Sequence, residues 1–163
     1  MDGFICGIDP GASGALALLD EKLNLVELDG QIQVLDMPTM PMGKKSKDQV
    51  NAAELAKILS NWIDRLGPIS IVLEAVHSMP AQGVSSSFNF GLAFGVVWGV
   101  AGALQIPVIS VTPQSWKKAA GLISMPKDAA RTKAQQLYPQ APLGHKKDCG
   151  RADAILIGRF SES

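Results

Sequence analysis

The chain has 163 residues, 47% of them hydrophobic, with 15 basic and 15 acidic side chains and a formal net charge of zero. That length and apolar content suit one compact domain over residues 1–163 and leave two full domains cramped. The neutral total excludes a uniformly basic surface. No stretch approaches twenty uninterrupted apolar residues, since Asn89, several glycines, Gln105 and Pro107 break up residues 88–109; a soluble protein with no membrane partner is expected. No secretory signal is visible, and Cys6 and Cys149 lack metal-type spacing, which suggests reduced thiols in a cytoplasm-like compartment.

In chain order, residues 3–9 predict a strand, the GASG turn leads into a second strand at 14–20, and a third falls within 24–37. PMGKKSKD reads as a mobile loop. NAAELAKILSNWIDRL then places Leu55, Ile58, Leu59, Trp62, Ile63 and Leu66 at helical spacing before the Gly67-Pro68 stop. ISIVLEA is a short β-branched strand ending on Glu74, residues 86–104 are helical in pattern, and IPVISV makes a fifth strand. Helices at about 113–120, 126–138 and 149–160 complete the chain. The order predicts an α/β fold with a mixed five-stranded sheet flanked by helices.

Two of these strands carry one carboxylate each at the C-terminal end, Asp9 in ICGID and Glu74 in IVLEA, where ligands bind in open α/β sheets. A third acid, Asp153, begins the apolar helical face of GRADAILIGRF and is expected to point toward the sheet. Any one of them alone is a common turn or cap residue. Burying all three together without cations costs several kcal/mol per charge, so the set predicts divalent metal. All-oxygen ligands favour Mg²⁺ or Mn²⁺ over zinc, and two such ions suit phosphodiester hydrolysis.

Charge is unevenly distributed. Residues 1–43 hold seven acids and one base, whereas 116–151 hold eight bases and two acids; with Lys44, Lys45 and Lys47 this allows a phosphate-binding face, although a solvated surface fits equally well. Gly91, Gly95, Gly99 and Gly102 leave one face of the predicted 86–104 helix almost without side chains. Such a face packs closely on another helix or on this chain's own sheet.

GIDPGASGA, VLEAVHSMPAQGVSSSFNFG, VTPQSWKKAAGL with KDAARTKAQQLYP, and KKDCGRADAILIG together resemble the RuvC-type Holliday junction resolvases, especially phage forms and their chloroplast relatives. The likeness covers nearly the whole chain in order. It implies an RNase H-like fold and a homodimer, in the host cytoplasm if phage-encoded, that cuts four-way DNA junctions by two symmetric Mg²⁺-dependent nicks, Mn²⁺ substituting. It implies metal ligands at Asp9, Glu74 and Asp153. The family's fourth position, commonly His or Asp, falls on Cys149 or Gly150, so Asp148 is the candidate substitute; a thiolate is a poor Mg²⁺ ligand. The resemblance further implies a basic catalytic residue near Lys117, with Lys118 in reserve. It places backbone contacts at Lys127, Arg131, Lys133, Lys146, Lys147 and Arg151, junction contacts at Gln82 and Phe88, and the dimer interface on the helix 88–104. For Phe88, burial in the core or in the dimer interface is the competing role. GIDPGASGA also resembles the phosphate hairpin of actin-like ATPases, which need a second domain. A nuclease acting on other branched DNA and an inactive DNA-binding scaffold are the remaining alternatives.

Overall fold

The computed structural model describes residues 3–75 and 83–161. Its centre is a five-stranded sheet of β1 (Phe4–Asp9), β2 (Ala15–Leu19), β3 (Val34–Asp36), β4 (Ile69–Glu74) and β5 (Val108–Val111), in the order β3-β2-β1-β4-β5. β1, β2 and β3 form an antiparallel meander, while β4 and β5 add in parallel to β1. The sheet is therefore mixed, as the element order predicts. The tight β1–β2 turn is made by Gly11 at φ +122°, a conformation open to glycine, and closed by the Gly14 amide donating to Gly11 O at 3.1 Å.

Helices cover both faces. On one lie α1 (Ala52–Leu66) and α2 (Val84–Ala103), packed on Cys6, Ile8, Leu16, Leu18, Ile71 and Leu73. α1 begins on Asn51, whose side chain accepts from the Glu54 amide, and buries Leu55, Leu59 and Trp62, each contributing roughly 1.5–3 kcal/mol. On the other face lie α3 (Pro113–Ala119), α4 (Ala129–Leu137) and α5 (Cys149–Arg159), packed on Ile5, Ala15, Ala17, Leu19 and Val72. α5 lies directly on the β1 backbone. A Cβ at Gly7 would fall on Ala154 O and within 2.6 Å of Gly158 N, so two glycines allow helix and strand to touch.

Two details add to the expected elements. PMGKKSKD is the tip of a short hairpin whose flanks pair, Thr39 with Val50 and Met40 with Gln49, because Val50 is buried in the core and anchors the returning strand. α2 runs unbroken through its glycines, as the helical pattern of residues 86–104 predicts. Among the described residues α2 is the one helix long and apolar enough to cross a membrane, by length and composition alone. Ala93, Val97 and Ala101 tie it to the core, and its glycine face is exposed.

Candidate active site

Strand alternation aims the carboxylates. Asp9 shares its parity with Ile5 and Gly7, and Glu74 with Val72, all directed to the α3–α5 face. Asp9 and Glu74 are each one residue beyond the paired Ile8 and Leu73 on adjacent parallel strands, and α5 carries Asp153 over the same end. All three side chains are partly buried.

Burial raises the proton affinity of all three. Desolvation, with the charges of Glu74 and Asp153, raises Asp9 to about 8. Desolvation and Glu74 raise Asp153 to about 7. Desolvation also raises Glu74, opposed by a hydrogen bond from Trp116 Nε1 to Oε2 at 2.6 Å. The Lys117 ammonium lowers all three, so the exposed lysine selected from sequence lies within electrostatic reach of each carboxylate.

Among the described residues, no three His, Cys, Asp or Glu side chains are gathered closely enough to hold an ion. Burial is the main cause of the raised proton affinity of all three carboxylates, and the charges of neighbouring acids add to it at Asp9 and Asp153. Their chemistry still suits a hard divalent cation, since Asp9, Glu74 and Asp153 offer only oxygen donors.

A cavity of about 630 Å³ opens beside this cluster. Asp9 and Asp153 line it, with the Pro10–Gly14 turn, Cys149 and Gly150, whereas Glu74 and Lys117 lie outside its lining. Its far wall is formed by Thr39, Lys47, Asp48 and Gln49 from the hairpin and by Ser86, Asn89 and Phe90 from α2. Gln49 Nε2 donates to Asn89 Oδ1 at 2.8 Å and joins these two elements. Sequence reasoning missed this wall, because no local pattern shows that residues 49 and 89 meet.

Other expected site residues are placed differently. Asp148, 4% exposed, accepts from the His145 amide and pairs with Arg151 at 3.7 Å, and it does not line the cavity. Arg151 makes a bidentate pair with Asp36 at 2.7 and 3.0 Å and donates to Pro142 O. Arg131 pairs likewise with Asp128 and donates to Leu143 O. Both guanidinium groups are committed to internal partners. Lys118, Lys127, Lys146 and Lys147 are exposed, Lys133 is half-buried, and Phe88 is 68% exposed, so Phe88 is not part of this chain's core. Gln82 lies outside the described residues.

No protein-family model and no curated protein sequence matches this chain. Solved structures do. Thermus thermophilus RuvC in complex with a Holliday junction substrate superposes with a TM-score of 0.65 and 20% identity, covering 98% of this chain and 94% of that one. A second Thermus thermophilus RuvC structure gives 0.61 and 16%, covering 96% and 93%. The sheet order, the helices on both faces and this near-complete overlap agree: the chain has the RuvC fold, an RNase H-like α/β architecture.

Proposed function

We propose that the protein is a metal-dependent endonuclease that resolves four-way DNA junctions by paired phosphodiester cuts. One observation carries the reading: Asp9, Glu74 and Asp153, from two strands and a helix, influence one another's charge at a single end of the sheet, with Lys117 within reach of all three. The solved relative of the same fold bound to a Holliday junction substrate supports the choice of DNA.

In this reading Asp9, Glu74 and Asp153 hold Mg²⁺, or Mn²⁺ in its place, as a pair of ions. Bound there, such ions supply an activated water and stabilise the leaving oxygen of the cut strand. Lys117 offsets the negative charge that the carboxylates present to an incoming phosphate and so helps to seat it. The exposed Lys118, Lys127, Lys146 and Lys147 contact the backbone without reading sequence. Phe88 stacks on an unpaired base at the crossover. Arg131, Arg151 and Asp148, occupied internally, take no part.

Two cuts across a symmetric junction require two sites. The exposed Gly91, Gly95, Gly99 and Gly102 of α2 have open space above them, and Trp98, stacked on Phe94 with centroids 5.7 Å apart, is 46% exposed beside them. A second copy packed on this face forms the homodimer.

The test is to incubate the protein with labelled four-way, flap and linear duplex DNA, with Mg²⁺ or with chelator. Mg²⁺-dependent paired nicks confined to the four-way substrate are expected. Equal cutting of flaps makes it a broader branched-DNA nuclease, and binding without any nicking makes it a scaffold.

A further inference from the structure

Trp116 is fully buried, yet its single polar atom is directed to a carboxylate. The other fully buried indole, Trp62, donates to the neutral amide oxygen of Gln33 at 3.0 Å; Trp116 Nε1 donates to Glu74 Oε2 at 2.6 Å. Both separations are within hydrogen-bond range, so each indole N–H has one fixed side-chain acceptor.

The backbone around the bond is fixed at each step. Glu74 pairs in register with Val111 at the end of β5, and the Ala75 amide donates to Val111 O at 2.7 Å. The next residue, Thr112, caps α3 by accepting from the Ser115 amide at 3.1 Å, and Pro113 sets the first helical position. The first turn of α3 therefore delivers the Trp116 ring to the end of β4. Lys117, whose charge reaches the same carboxylates, keeps its Nζ 5.5 Å from that ring's centroid.

We infer that Trp116 is a positioning residue for Glu74: its indole N–H tethers Oε2 and thereby sets which way Glu74 presents its other oxygen to a divalent cation. The inference rests on the reading of Glu74 as a metal ligand. Filling the core beneath α3 needs only an aromatic ring of this size, and phenylalanine would supply most of that packing. The N–H is what phenylalanine lacks. Partners that orient a ligating group contribute to metal affinity even though they never touch the ion.

The experiment measures Mn²⁺ binding to the DNA-free protein by calorimetry for wild type, Trp116→Phe, Glu74→Gln and the double variant. Trp116→Phe is expected to bind Mn²⁺ about 10–100-fold more weakly than wild type. In the Glu74→Gln background it is expected to change nothing further. Wild-type affinity in a folded Trp116→Phe protein overturns the inference and leaves the metal site standing. Absence of Mn²⁺ binding by wild type overturns both. A second measurement avoids substituting the buried ring: the Trp116 indole ¹H–¹⁵N resonance of wild type is expected to lie downfield, to move on adding Mg²⁺ and to shift upfield in Glu74→Gln. A resonance indifferent to both changes also overturns the inference.

Discussion

Asp9 and Glu74 stand at matching ends of neighbouring parallel strands, each one residue beyond the Ile8–Leu73 pair, so the sheet itself holds two carboxylates side by side. With no cation present, that arrangement opposes folding at high pH. Asp9 is raised to about 8 and Asp153 to about 7, both far above their unfolded values, so between about pH 4 and 8 the folded state binds more protons than the unfolded one. Stability of the metal-free protein therefore falls as pH rises through that window. Thermal denaturation in chelator is expected to give a lower melting temperature at pH 8 than at pH 5.5, and added Mn²⁺ should reverse the loss. Asp9→Asn should stabilise the metal-free protein at pH 8 by roughly 1–3 kcal/mol, because the desolvated charge is gone. A melting temperature independent of pH would remove the carboxylates from a shared environment.

Asp9→Asn, Glu74→Gln and Asp153→Asn are each expected to lower junction cleavage by about 10²–10³-fold or more, the loss of one key electrostatic group setting the lower bound, while leaving junction affinity within a few-fold. Gel-shift and nicking assays on the same preparations separate the two effects. Wild-type nicking by any one variant removes that residue from the site.

The basic residues divide into two groups that sequence could not separate. Lys146→Ala with Lys147→Ala should weaken four-way and linear DNA alike and reduce the log-log salt slope by up to about 1.8, at about 0.9 for each lost contact. Arg151→Ala should instead lower the melting temperature, since it removes the bidentate pair with Asp36 and the bond to Pro142 O, and should leave the salt slope unchanged. The reverse pattern would relocate the DNA surface.

Phe88→Ala should narrow the preference for junction over duplex with no change in salt slope, because stacking carries no counterion release. Competition binding at two salt concentrations measures this. An unchanged preference would return Phe88 to a packing role at an interface.

Gly95→Leu or Gly99→Leu should separate folding from assembly. Neither glycine has a neighbour in the way of a side chain, and leucine is the better helix former by up to about 1 kcal/mol, so the protomer should be no less stable. Sedimentation should nonetheless shift from dimer toward monomer. A wild-type protein that is monomeric and active at micromolar concentration would sink the interface.

The strands and helices were legible because each carries its own periodicity, down to the meander order and the carboxylates at strand ends. Lys117 was singled out through the family resemblance, and its charge does reach Asp9, Glu74 and Asp153. The partners of charged residues were not. Arg151 meets Asp36, Gln49 meets Asn89 and Trp116 meets Glu74 across 115, 40 and 42 positions, and composition holds no record of such pairings.

The contact of Gly7 with Gly158 and Ala154 has a bearing on how the site keeps its dimensions. Asp9 follows Gly7 by two residues, and Asp153 precedes Ala154. Because main chain rests on main chain between them, the gap from one carboxylate to the other is gauged by the thickness of two bare backbones. Leucines and isoleucines elsewhere on α5 can be exchanged and repacked without resetting that gap. A single methyl at position 7 cannot be absorbed in this way. It would lever α5 off the strand and spread the carboxylate cluster at that end of the sheet, so the tolerance of this centre is set by two missing side chains.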